Sequence, residues 1–444
     1  MIAPEGGSRL GETRPARRPA GRRGPGGANG TPVMIWRAAT AIAGLALRLA
    51  APLGGPDLRE RLALAGPAVV PGGIWLHAAS VGELTSARVL ADALAAEAAL
   101  SVTTNSTTGR ALARRLGYRA VLAPLDVPQA VRRFLARVEP AVLVTVENEL
   151  WPNRSAMADD LGVAQVVIGA RISARSAARW ARLPWLIRPM LARIDLLSAQ
   201  DEASEERLLA LGLPRAALGT RLNLKLLGPA QVHPPEDGPD RPLTVLAAST
   251  HEGEEGPLLD AYLAARRAVP GLRLILAPRH PDRADALAAL LAARGQGFAR
   301  RSAGALPGAD PARPILLADT LGEMALWYQA AAVCITGGSF VARGGHTPWE
   351  PAAWRCAILH GPDVANHAAD YAALDAAGAA IATTPDRLAG DLAALVADRP
   401  RQRRMGRAAR EMLLARAGDP APLLARILDL AHGGLAQRHG PADI

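Results

Sequence analysis

The chain is poor in aromatics, cysteine and lysine, and each shortage narrows what it can be. Phe, Trp and Tyr make up 3% of 444 residues, while half of the chain is hydrophobic. Ala and Leu fill the apolar positions instead, which favours helices packed on sheets over an all-β sandwich. Cys334 and Cys356 are the only cysteines. With no CxxC and no His/Cys group at zinc spacing, they point to a reducing compartment and to neither disulfides nor a bound metal. No uninterrupted run of about 18–20 apolar residues exists. Gly-x-Ser-x-Gly and Walker A sequences are absent too, so Ser80 is a poor hydrolase nucleophile and no P-loop is encoded. Of 51 basic residues, one is lysine, Lys225. Arg serves everywhere else, so a compact ammonium here suits a crowded charge-stabilising site, against the alternative of a surface lysine retained by chance.

What is present begins with charge. The net charge is +10. Nucleic acid and anionic membrane are its natural attractors. Interleaved aromatics and nucleic-acid modules are both missing, so the reading is a membrane surface and no nucleic acid. Residues 1–32, rich in Gly, Pro and Arg, read as a disordered basic tail. Residues 33–53 form the most membrane-like stretch, interrupted by Arg37 and Arg48. On a helix, Arg37, Thr40, Gly44 and Arg48 share one stripe, which predicts a helix lying on a membrane; a partner-packed helix is the alternative.

From residue 72 strand and helix patterns alternate. Strands are predicted at 74–78, 100–104, 141–146, 165–168 and 196–198. After a Pro/Gly-rich break at 228–241 they resume at 243–247, 272–277, 314–318, 331–336 and 357–360. The stretch 400–432 reads as helix and 433–444 as a tail. Two βα blocks, 54–230 and 231–432, predict an α/β protein of two Rossmann-like domains facing a cleft.

The strand ends carry the chemistry. Gly337-Gly338-Ser339 leaves an apolar run and leads to Thr347-Pro348-Trp349-Glu350. Thr347, Pro348 and Glu350 occupy N-cap, N1 and N3 positions of a predicted helix. Glycines let a ligand approach the backbone, so this turn reads as an anion site with free N–H donors. Ser80–Glu83 and Ser249–Glu252 repeat the Ser/Thr-x-x-Glu pattern, and each Glu has the plainer reading of a helix cap. Glu147 and Glu149 follow the strongest strand of the first block on opposite sides. Pro278-Arg279-His280 could present a guanidinium to a phosphate. Gly322-Glu323-Met324 opens another helix.

Taken in order, Trp75–Glu83, Glu147–Asn153, Asn223-Leu224-Lys225, Ser249–Glu255, Pro278–His280, Gly322-Glu323 and Gly337–Glu350 resemble the bacterial 3-deoxy-D-manno-octulosonic acid (Kdo) transferases over residues 35–430. The resemblance implies a GT-B glycosyltransferase with an N-terminal membrane-associated helix. It implies inverting transfer of Kdo from CMP-Kdo to the lipid A precursor, at the cytoplasmic side of the inner membrane, without a cofactor. Glu83 would be the general base, turned into the cleft and away from the helix-cap amide. Glu147 and Lys225 would stabilise the transition state. Pro278, Arg279, Gly322, Glu323, Met324, Gly338, Ser339, Thr347, Pro348, Trp349 and Glu350 would bind the CMP sugar. Asn148 and Thr347 depart from the family pattern. Alternatives are a GT-B enzyme with another nucleotide sugar or acceptor, and a non-enzymatic binder of anionic lipid or nucleic acid.

Overall fold

The computed structural model describes residues 31–66, 71–236, 238–308 and 310–439. The predicted tail therefore lies outside the described residues over 1–30 and 440–444, while Thr31 begins a helix and 433–439 continue one. Two parallel sheets organise the chain. The first is built from β1 (Ile74–His77), β2 (Leu100–Thr104), β3 (Arg119–Leu122), β4 (Val142–Val146), β5 (Ala164–Ala170) and β6 (Leu196–Ala199). Their spatial order is β3-β2-β1-β4-β5-β6. The second contains β7 (Thr244–Thr250), β8 (Arg273–Pro278), β9 (Phe298–Arg300), β10 (Ile315–Leu317), β11 (Val333–Thr336), β12 (Ala357–His360) and β13 (Ala380–Ala382). It runs β13-β12-β11-β7-β8-β10-β9. Helices cover both faces, so β1, β2, β4, β11 and β12 are buried at every residue, as their near-continuous apolar runs require.

Ten of these strands follow the sequence reading. The three it lacks, β3, β9 and β13, are edge strands: two are three residues long, and two contain arginine. One strand face at an edge is not enclosed, so short polar-containing segments suffice there. The stretch read as one helix over 400–432 is two, Arg399–Ala417 and Ala421–His439. The second of these packs on β4, β5 and the Val81–Glu97 helix, so the chain returns to the first domain at its end. Arg410 fastens the crossing: its guanidinium donates to the Ala353 carbonyl at 2.9 Å and the Ala230 and Val232 carbonyls at 3.1 and 2.6 Å.

The N-terminal helix spans Thr31–Ala50. Arg37, Thr40 and Gly44 of its polar stripe turn toward the protein, while Arg48 is exposed. Asn153 donates to the Thr40 hydroxyl at 3.1 Å, Arg37 pairs with Asp160 at 3.7 Å, and Gly44 is buried where a Cβ would lie 2.4 Å from Gln129. Its apolar residues turn outward: Met34, Ile35, Ile42, Leu45 and Leu49 are exposed, Ile42 by 72% and Leu49 by 75%. Among the described residues no helix is long and apolar enough to cross a membrane.

Candidate active site

Strand order locates the crevices. In the first sheet the chain reverses direction between β1 and β4, and in the second between β7 and β11. At such switch points the two following turns diverge and leave a crevice at the carboxyl edge of the sheet. The sequence motifs converge on these two places.

Glu83 follows β1. The Ser80 hydroxyl caps its helix by accepting the Glu83 N–H at 3.2 Å. The Glu83 carboxylate takes the Ala79 N–H at 2.7 Å. It therefore stays at the helix entrance, but on Ala79, one residue before the Ser80 N-cap, and not on the cap amide itself. Burial still raises its pKa, against the Ala79 bond, and Glu147 and Glu149 across the crevice add to the rise. Glu147 follows β4 with φ +56°, a left-handed conformation uncommon for a residue with a side chain, and its N–H is held by the Ile168 carbonyl at 2.9 Å.

Lys225 is exposed in the first turn of the Leu224–Ala230 helix, which packs on the Val81–Glu97 helix bearing Glu83. Gly169, at φ +62°, lets that helix approach β5: a Cβ there would sit 2.5 Å from Leu224. Leu224 is thereby fixed in the core and its neighbour Lys225 is held at the carboxyl edge.

Beneath this edge lies a polar network that the motifs only hinted at. Trp75 Nε1 donates to the Thr103 hydroxyl at 2.8 Å, and that hydroxyl lies 2.9 Å from His77 Nδ1. His77 is fully buried, and burial pushes its imidazole down to about 4. Its Nε2 faces the Glu149 carboxylate at 3.8 Å, too long for a hydrogen bond. The His77 edge and the Trp151 N–H, which donates at 2.8 Å, hold Glu149 down to about 2. Asn105 donates to the same carboxylate at 3.2 Å. Glu149 is thus held as an anion, while burial makes Glu83 the more basic carboxylate of the two.

The second crevice is built differently from the expectation. Ser249–Glu252 is not a capping box: Ser249 adopts φ +56°, and the helix starts only at Glu255. Glu254, 1% exposed, instead accepts the His251 and Gly338 N–H groups at 2.8 Å each and the Phe340 N–H at 3.0 Å. The glycine turn's donors at Gly338 and Phe340 are thus already taken by a carboxylate, which corrects the reading of them as free. Ser339 is fully buried, donating to the Thr336 carbonyl and accepting the Gly361 N–H at 2.8 Å, so its hydroxyl is engaged in shaping the turn. The short helix begins at Trp349 with Pro348 as its cap residue, one position later than predicted, although the Thr347 hydroxyl still accepts the Trp349 N–H at 3.3 Å. Trp349 is core, with Arg416 over its ring at 5.2 Å. Pro348 is also buried, leaving Thr347 and Glu350 as the accessible polar groups of that segment. The buried Tyr328 donates its hydroxyl to Glu350 at 3.1 Å.

Across the crevice, His251 and His346 meet at 3.0 Å between Nε2 atoms, with His280 edge-on to His251. Burial lowers the pKa of both members of the pair, and Arg279 adds to this through its charge. Arg279 is exposed just beyond Pro278, which is buried as the last residue of β8, and its N–H is held by Thr250 O at 2.9 Å. These cationic and imidazole groups form the anion-attracting side of the crevice. Gly322, Glu323 and Met324 stand after β10 on the same edge. Arg301 grips Glu323 at 2.7 Å and holds its pKa down to about 2, so this acid is already paired. Among the described residues no cluster of His, Cys, Asp and Glu could hold a metal ion.

Comparisons with known proteins agree with this layout. The family model described as 3-deoxy-D-manno-octulosonic-acid transferase (kdotransferase) matches residues 56–227. The 3-deoxy-D-manno-octulosonic acid transferase of Haemophilus influenzae is 33% identical over 376 residues, 81% of this chain and 86% of that one. The Bordetella pertussis enzyme of the same name is 38% identical over 370 residues, 79% and 86% of the two chains. In fold, the chain is similar to a putative UDP-N-acetylglucosamine 2-epimerase from Listeria monocytogenes, with a TM-score of 0.51 and 14% identity, covering 84% of this chain and 100% of that one.

Proposed function

The chain belongs to the Kdo transferase family of glycosyltransferases, and from this we propose how its two crevices divide Kdo transfer in lipopolysaccharide biosynthesis. The second domain holds CMP-Kdo, and the first receives the lipid A precursor. Arg279 and the His251/His346 pair attract the phosphate, and Glu350, oriented by Tyr328, takes ribose hydroxyls. Glu83 accepts the proton of the acceptor hydroxyl as its oxygen bonds to the anomeric carbon. The bond from that carbon to the phosphate oxygen breaks, and CMP leaves with the electron pair. Glu147 complements positive charge growing on the sugar, and Lys225 complements negative charge on the departing phosphate.

The observation that carries this reading is the β1/β4 crevice, where Glu83 has a raised pKa beside two further carboxylates. A general base serves best when its pKa is moved toward the working pH. Incubation with CMP-Kdo and tetra-acylated lipid A precursor, read by mass spectrometry, tests it. The native protein should add Kdo and Glu83→Gln should lose at least a hundredfold in rate. No adduct from native protein beside a working transferase would overturn the transfer reading. Full activity in Glu83→Gln would overturn the base assignment.

The same reading places the enzyme on the cytoplasmic side of the inner membrane. What supports it is the Thr31–Ala50 helix, whose apolar face is exposed while Arg37 and Thr40 of its polar stripe contact the protein. An apolar face of that kind, with Arg48 beside it, suits the interfacial layer of an anionic bilayer.

A further inference from the structure

The donor crevice carries two arginines, and the phosphate contact given above uses one. Arg279 follows β8, and Arg343 lies in the loop after β11. Both are exposed, and among the described residues neither has a carboxylate partner. Burial lowers the pKa of His251, and the charges of Arg343 and Arg279 lower it further, so both guanidiniums stand near one imidazole.

Gly338 brings these groups together. It adopts φ +68°, and a Cβ there would lie 3.4 Å from Arg343 Cβ, 3.4 Å from His251 Cδ2 and 3.5 Å from His346 Cδ2. Arg343 therefore shares the rim of the turn with the histidine pair. Its backbone is held from both sides. The Arg343 N–H donates to Val341 O at 2.7 Å, and the Arg343 carbonyl accepts Asn366 Nδ2 at 2.9 Å. Gly344, the next residue, donates its N–H to the Asp363 carboxylate at 2.8 Å and lets Asn366 come close, since a Cβ there would lie 2.6 Å from the Asn366 amide. A fixed main chain beneath a free guanidinium leaves less to order when a ligand arrives.

Given the Kdo transfer reading, on which this step rests, the donor supplies the missing partner. Kdo is a sugar acid whose carboxylate is bonded to the anomeric carbon, the atom that also bears the phosphate oxygen of CMP. Two anions thus enter the crevice a few bond lengths apart, above the buried carboxylate of Glu254. One guanidinium fork engages one of them bidentately and leaves the other unmatched. We propose that Arg343 grips the carboxylate of the donor sugar, while Arg279 and the histidine pair keep the phosphate, so that Arg343 selects acidic sugars over neutral ones. A neutral sugar on the same nucleotide forgoes this contact.

The test titrates freshly prepared CMP-Kdo and, separately, CMP into the full chain in the cold, by calorimetry and without acceptor. The ratio of the CMP to the CMP-Kdo dissociation constant isolates what the sugar adds. In Arg343→Gln this ratio should fall by about tenfold or more, while CMP alone weakens by less than about threefold, because for CMP only longer-range charge is lost. Arg343→Lys keeps the charge without the fork and should recover part of the ratio. Arg343 is exposed, so both variants should melt within about 2 °C of the native protein. A ratio unchanged in Arg343→Gln, whether both ligands weaken equally or neither does, would overturn the proposal. No arm requires turnover. A native protein that shows the ratio effect yet adds no Kdo to the lipid would overturn the transfer reading and leave the carboxylate contact standing.

Discussion

Replacing Glu254 by Gln should loosen the donor side of the enzyme without altering its size or shape. The native carboxylate accepts three backbone N–H groups from two separate strand ends, one bond at 3.0 Å and two at 2.8 Å. A glutamine can keep the two bonds on one oxygen, but its NH2 then faces the Phe340 N–H. One charge-assisted bond is lost and a buried donor is left opposed by another, together about 2–4 kcal/mol. For a domain of this size that lowers the melting temperature by about 4–16 °C. Because Glu254 ties the turn after β7 to the turn after β11, CMP affinity should fall as well. Thermal unfolding and CMP titration measure the two effects. Glu252→Gln is the control: Glu252 is exposed two residues away and should change stability by less than about 0.5 kcal/mol. A Glu254→Gln protein that melts with the native one and binds CMP equally would refute the idea that this carboxylate organises the turn.

Other substitutions test the first domain. The raised pKa of Glu83 means that activity should be lost as pH falls through a value above the ordinary glutamate range, and a pH–rate profile of kcat/KM would show the limb. For stability the sign is opposite to that of a salt-bridged acid. The unfolded chain releases this proton at lower pH than the folded one, so stability declines as pH rises through that interval, and Glu83→Gln should flatten the decline in melting curves. His77, held near 4, is neutral in the fold while its unfolded form gains a proton below about 6.5. Its contribution is therefore complete above that pH and falls as pH drops toward 4, and His77→Gln should flatten the melting temperature across this window. Gly169→Ala should destabilise by about 1–3 kcal/mol through its left-handed φ and the Leu224 contact, with a fall in kcat as Lys225 shifts, read by urea unfolding and initial rates. Ile42→Glu combined with Leu45→Glu should reduce sedimentation with anionic vesicles several-fold while leaving the melting temperature within about 2 °C, since both side chains are exposed.

Much of this architecture was legible because parallel strands buried on both faces must be apolar throughout. Val142–Val146 and Val333–Thr336 announce themselves, while β3, β9 and β13 do not, being edge strands whose outer side need not be enclosed. The site was legible to the extent that motifs sit at strand ends. Sequence order alone does not say which ends are neighbours, and strand order supplies this: β1 beside β4, and β7 beside β11. That is why Glu83 and Glu147, sixty-odd residues apart, share a crevice, and why His251 can meet His346.

The glycine turn shows where local reading stops. Double glycine between a strand and a helix does give the backbone room, and the donors at Gly338 and Phe340 do converge. Their acceptor, however, comes from Glu254, more than eighty residues earlier, and only tertiary contact reveals that it has filled the nest. A carboxylate in that position also changes the electrostatic logic. The buried carboxylate opposes a phosphate at the turn, and attraction would come from Arg279, Arg343 and the histidine pair at its rim. Phosphate binding should then draw a proton onto His251 or His346, because an adjacent anion favours the charged imidazole against burial. CMP affinity should accordingly rise as pH falls from 8 toward 6, with net proton uptake measurable by titration in buffers of different ionisation heat. His346→Gln should diminish that uptake. An affinity independent of pH in the native protein would mean that the phosphate lies away from the pair, and that the anion-attracting side of this crevice is its arginines, Arg279 and Arg343.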